Sequence, residues 1–170
     1  PTFLLKLDNK SNVKFLKFKK IKFDKETENS LKKINTRGQP NRHIYKNFQW
    51  HKLHLFDSRL KEWDFIFYID INMTIHKNIN PILEIKPSRC FYANRDYSVG
   101  EKWKLEDQFD NTHKDFHTLK HAYDLSIKNY FQTGMIFYDT ELIEVETKKD
   151  IMKLVQKYPF TRTNEQGIMN

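Results

Sequence analysis

Apolar and polar positions change period several times along the chain, and each change marks an element. Residues 3–7 and 13–23 read as extended; in the second stretch, Val13, Phe15, Leu16, Phe18, Ile21 and Phe23 interleave with lysines. A short helix follows over 26–34, and "TRGQPN" at 36–41 supplies a loop. From 42 to 60, Ile44, Phe48, Leu55 or Phe56, and Leu60 recur at helical spacing and predict a helix. The run "FIFYIDINMTIHKNINPIL" begins with a strand over 65–71 that carries Asp70 out of its apolar body. Asn80 then Pro81 form an N-cap and first-turn pair. A strand over 90–96, a helix over 114–128, a strand over 130–138 and a helix over 148–158 complete the pattern, the last capped by Thr147 and stopped before Pro159. Alternating strands and helices predict an α/β layered fold with a mostly parallel sheet.

Composition keeps that reading and narrows it. With 170 residues, the chain is one domain's worth, able to bury roughly 70% of its unfolded surface, so a single domain over 1–170 is expected. The 14 Phe, 8 Tyr and 3 Trp predict a core built on rings as much as on aliphatics. No apolar run approaches the ~20 residues of a membrane span, and no leader pattern opens the chain, so a soluble protein without a membrane span is expected. One cysteine, Cys90, forms no intramolecular disulfide and lies in an expected strand as a core residue, which fits a cytoplasmic setting. Beginning at Pro1 and stopping at Asn170 just after a helix start, the sequence is expected to be a trimmed domain.

Charge changes the list of partners. A net charge of +8 favours anions: nucleic acid, diphosphates or acidic glycans. The stretch "VKFLKFKKIKFDK" combines cations with rings, as single-strand nucleic-acid binders do, although lysines on a peripheral strand also discourage edge pairing. A basic single-stranded nucleic-acid-binding module is therefore the alternative reading. His113, His117 and His121 fall at helical spacing, but the outer two are about 12 Å apart and cannot share an ion; a solvated face is expected.

In α/β sheets, ligands bind beyond the carboxyl ends of the strands. Asp70 lies at such an end, and in extended chain residues i and i+2 face one side, so Asp70 and Asn72 could offer oxygens to one hard divalent ion. Four segments then carry a resemblance. "WDFIFYIDINMTIHKNINPIL", "CFYANRD", "NYFQTGMIFYD" and "TNEQGIMN" resemble, in order, the Asp-x-Asp strand and short helix, the donor-sugar strand, the Asn-(Ser/Thr)-Gly strand and the Asp-Gln element of GT-A glycosyltransferases. The match covers about 44–170 and is similar to the family 8 and family 34 type transferases and the small glycosyltransferase domains of large algal DNA viruses. Asn72 stands for the second motif acid and Gln132 for the usual Asn.

The resemblance implies a GT-A fold and transfer of a sugar from a nucleoside diphosphate sugar, UDP-sugar foremost, to a hydroxyl of a glycan or other acceptor. It implies Mn²⁺ or Mg²⁺ on Asp70 and Asn72. Donor contacts fall to Lys52 or Lys46, Asp70, Asn94, Arg95, Gln132 and Gly134, and catalytic roles to Asp96, Glu165 and Gln166. Loss of charge at Asn72 also admits a transferase fold that binds its donor but transfers poorly. For a viral chain, the implied setting is the host cytoplasm.

Overall fold

The computed structural model describes residues 14–34, 47–96 and 103–170. The extended stretch expected at 3–7, the loop at 36–41 and Lys46 lie outside these residues. Helix α1 (Lys25–Ile34) starts behind Asp24, whose carboxylate accepts the Thr27 N–H at 2.8 Å and the Thr27 hydroxyl at 2.9 Å. Glu26 and Glu28 in its first turn and Lys32 and Lys33 in its last complement the helix dipole.

The sheet has three strands, β1 (Phe65–Ile69), β2 (Phe91–Arg95) and β3 (Phe131–Asp139), in the order β1-β3-β2. Both pairings are antiparallel, so the mostly parallel sheet is corrected among the described residues to an antiparallel one. Strand and helix alternation fixes the kind of each segment but not its direction. Here β1 and β2 run the same way and β3 runs against both, between them. The longest strand takes the centre because its residues are the most buried: Thr133, Gly134 and every position over 136–139 are shielded from solvent. Edge strand β2 is exposed at four of its five residues.

The helix expected over 42–60 is, where described, two 3₁₀ segments, Asn47–Phe56 and Ser58–Glu62. Asp57 divides them, because its side chain accepts the Arg59 N–H and caps the second. The tighter turn moves the buried face: Phe48 is exposed, whereas Trp50 and Leu53 are buried and pack with Leu31 and Val155. The stretch over 14–24 forms no strand; Phe18, Ile21 and Phe23 are half-buried against the 3₁₀ segments and sheet. Phe18 stacks on His54 at 4.5 Å and lies under the Arg59 guanidinium.

Among the described residues three short α-helices and one longer one follow, α2 (Asn80–Leu83), α3 (Phe116–Ala122), α4 (Thr147–Lys157) and α5 (Glu165–Met169), with further 3₁₀ segments at Leu105–Gln108 and Thr140–Leu142. The helix predicted over 114–128 ends at Ala122, because the Asp124 carboxylate takes both the N–H and the hydroxyl of Ser126 and offers the backbone a turn instead. Thr147 opens α4 but does not cap it; its hydroxyl accepts the Glu144 N–H, three residues back. At α2, Asn78 rather than Asn80 makes the side-chain bond, accepting the Asn80 N–H at 2.9 Å. A ring cluster of Phe109, Tyr130, Tyr158 and Phe160 with Leu105, Leu119 and Leu125 forms the largest apolar core. No helix among the described residues is long and apolar enough to cross a membrane.

Candidate functional site

The end of β1 meets the start of β3 and the first turn of α5, and polar side chains from all three converge there. β1 stops at Ile69, yet the Asp70 N–H still donates to the Gly134 carbonyl at 2.8 Å, which holds Asp70 beside β3. Its carboxylate is fixed on both sides. Oδ1 accepts the Tyr68 phenol at 2.5 Å, and Oδ2 faces the Lys52 ammonium at 3.1 Å. Burial and the neighbouring carboxylate push the Tyr68 phenol up, so Tyr68 remains the donor of this pair.

Lys52 is the centre of the site. It reaches in from the first 3₁₀ segment with only 9% of its side chain exposed, and its Nζ lies 3.1 Å from Asp70 Oδ2, 3.1 Å from Glu165 Oε1 and 3.2 Å from Thr133 Oγ1. An ammonium has three N–H donors, and here three acceptors surround it. Thr133 in turn donates to Glu165 Oε1 at 2.8 Å. Glu165 is 1% exposed; burial pushes its carboxyl up, against the pull of Lys52 and the Thr133 hydroxyl, and its Oε2 is buried without a protein partner.

Backbone strain helps aim Glu165 inward. Asn164 precedes it with φ 55° and ψ −125°, a conformation costly for a residue with a Cβ. That conformation is clamped: the Asn164 amide donates to Gln49 Oε1 at 2.5 Å, and the Asn164 carbonyl accepts the Thr161 hydroxyl at 3.0 Å. Asn164 stands at the N-cap position of α5 without a side-chain cap bond, because its amide is engaged with Gln49.

Gln166 links this cluster to the end of β2. Its Nε2 donates to Asp96 Oδ2 at 2.7 Å and to Gln108 Oε1 at 3.3 Å, while its Oε1 accepts the Thr133 N–H at 3.4 Å. Gln108 is buried and donates to the Tyr130 hydroxyl at 3.1 Å, so a second layer fixes which way the Gln166 amide faces. A polar cavity of about 180 Å³ opens over the assembly, lined by Lys52, Asp70, Gln132, Thr133, Gly134, Arg162, Glu165 and Gln166 among others.

Of the residues proposed from sequence, Lys52, Asp70, Gln132, Gly134, Glu165 and Gln166 line this cavity, and Asp96 joins them through Gln166. Asn94 and Arg95 do not line it: both are exposed on β2, next to an irregularity in its pairing, and the Arg95 guanidinium reaches the Lys128 carbonyl at 3.5 Å. Asn72 does not continue the strand. The Met73 N–H donates to the Asp70 carbonyl at 3.0 Å, closing a turn over 70–73 that leaves Ile71 and Asn72 exposed. The alternation that would set Asp70 and Asn72 on one side therefore stops at Ile69. Sequence reasoning missed Thr133, Gln108 and Arg162. For Thr133 the signal was its place between Gln132 and Gly134; Gln108 and Arg162 carried none.

The divalent ion implied by resemblance does not fit this donor set. Both oxygens of Asp70 are engaged, the second motif position lies on an exposed turn, and the carboxylate of Glu165 is across an ammonium that already binds both acids. Among the described residues, no three His, Cys, Asp or Glu side chains come together as a metal cage. The three histidines do not gather either: His113 stacks on Phe160, ahead of α3, while His117 meets His121 edge to face. Cys90 is half-buried at the threshold of β2. In comparisons with protein-family models, curated proteins and solved structures, the chain matches none.

Proposed function

We propose that the chain is a GT-A-type glycosyltransferase domain that moves a sugar from a nucleoside diphosphate sugar to an acceptor hydroxyl. The observation that carries the reading is convergence. The four segments that resemble the family lie apart along the sequence, and Asp70, Asp96, Thr133 with Gly134, and Glu165 with Gln166 come from them to one connected polar cluster.

In that transfer the bond between the anomeric carbon and the diphosphate oxygen breaks, its electron pair leaving with the diphosphate. The acceptor oxygen bonds to the anomeric carbon and gives its proton to the Asp96 carboxylate. Stabilising charge on the leaving phosphate is the main demand, and the cavity presents cations for it in Lys52 and Arg162. Of the two carboxylates to which the resemblance gives catalytic roles, Asp96 is the accessible one, half-buried and oriented by Gln166, and suits a general base; Glu165 is enclosed, with one oxygen committed to Lys52 and Thr133. Glu165 instead fixes the ammonium.

A panel of UDP-, GDP- and CDP-sugars, followed by chromatography of released nucleoside diphosphate, tests the reading. Release is expected with one donor class and should fall at least tenfold in Gln166→Ala, which frees Asp96. A chain that neither binds nor turns over any nucleotide sugar would sink the proposal.

A further inference from the structure

Resting on that reading, we infer that the site works without a divalent ion: the Lys52 ammonium stands in the cation's place and offsets the charge of Asp70 and Glu165, and the Arg162 guanidinium meets the diphosphate of the donor. The position between Asp70 and Glu165 is where a cation would gain most from this cluster, and a covalently tethered one stands there. Lys52 Nζ is within 3.2 Å of three oxygens, including one from each carboxylate. A divalent ion on Asp70 would have to displace that ammonium or lie beside it, with like charges sharing the same oxygens.

Arg162 supplies the second cation. It lines the same cavity, three residues before Glu165, with 40% of its side chain exposed. One guanidinium nitrogen, Nη2, meets Asp110 at 3.2 Å, outside the cavity lining, which anchors one end of the fork. The planar fork of an arginine suits paired phosphate oxygens better than a point charge does. Burial also favours the protonated form of Glu165, which lessens the negative charge an incoming diphosphate would face.

The test needs no variant at first. UDP is titrated calorimetrically into metal-stripped protein in EDTA and again in Mn²⁺, and Mn²⁺ alone is followed by electron paramagnetic resonance. The expected result is a dissociation constant equal within about twofold in the two buffers, with no stoichiometric Mn²⁺ bound by the protein alone. Arg162→Met, a change at the cavity rim, should weaken UDP roughly tenfold to a hundredfold, the worth of a charged hydrogen bond. Lys52→Met should do the same where its far-ultraviolet circular dichroism remains that of the parent. UDP binding that appears only with Mn²⁺ and vanishes in EDTA would overturn this inference and leave the glycosyltransferase reading standing. Unchanged affinity in Arg162→Met would overturn it too, and silence toward UDP and all nucleotide sugars in both buffers would overturn both.

Discussion

Replacing Lys52 by methionine keeps the length and apolar stem of the side chain and deletes its charge. In the folded protein Glu165 is 1% exposed and Asp70 has 28% of its side chain exposed, so solvent can compensate Asp70 but not Glu165. Breaking a buried pair by removing one partner costs about 3–5 kcal/mol, which for a domain of this size lowers Tm by roughly 6–20 °C. The cost must depend on pH. Burial holds the folded pKa of Glu165 above its ordinary value of 4.5, so the folded chain keeps a proton that the unfolded chain releases. Its contribution is therefore most favourable below that ordinary value and is lost as pH rises through the raised folded value. Lys52 limits this loss by attracting the ionised form; without it the folded pKa climbs further and the fall with pH steepens. Urea melts of wild type and Lys52→Met at about pH 5 and about pH 8 should thus differ little at the lower pH and by several kcal/mol at the higher. Adding Glu165→Gln to Lys52→Met should recover most of the loss at the higher pH, because the uncompensated charge is gone. A penalty equal at both pH values and untouched by Glu165→Gln would refute the account of a buried, coupled pair.

The two glycines near the site should behave oppositely. A Cβ at Gly134 would meet Asp70 Oδ2 at 3.5 Å and Gln132 Oε1 at 3.7 Å, ordinary contacts, so Gly134→Ala should keep thermal stability within about 1 kcal/mol while reducing nucleotide-sugar turnover. A Cβ at Gly167 would lie 2.6 Å from Thr161 Oγ1 and 3.3 Å from Gln108 Cβ, so Gly167→Ala should cost about 1–3 kcal/mol in denaturant melts. Asn72→Asp should leave Mn²⁺ affinity unchanged by calorimetry, since residue 72 lies on the exposed turn rather than beside Asp70 on a strand; a marked gain would show that the turn places both side chains on one ion. Glutamates at Lys17, Lys19 and Lys20, all exposed, should abolish any weak, salt-sensitive oligonucleotide binding and leave UDP affinity intact; tight salt-resistant binding by the parent would instead favour the nucleic-acid reading.

Much of the element pattern was legible along the chain. The strands around Phe65, Phe91 and Phe131 and the helices α1 and α4 follow from local apolar periodicity, helix-end charges and the stop before Pro159, all short-range effects. Asp70 could be singled out because a carboxylate on the end of an apolar strand breaks the local pattern, whereas Glu165 and Gln166 stood out only through the resemblance of their segment. Strand direction could not be read, since an apolar strand has the same period whichever way its neighbours run; the burial of β3 put it between β1 and β2. Nor could the 3₁₀ form of Asn47–Phe56, where Trp50 and Leu53 rather than Phe48 face the core. The turn over 70–73 and the placing of Lys52 between Asp70 and Glu165 belong to tertiary structure alone. An ammonium 18 residues from one carboxylate carries no sequence mark of its partners, and only the packing of the first 3₁₀ segment against α5 and β3 brings the three charges within 3.1 Å contacts.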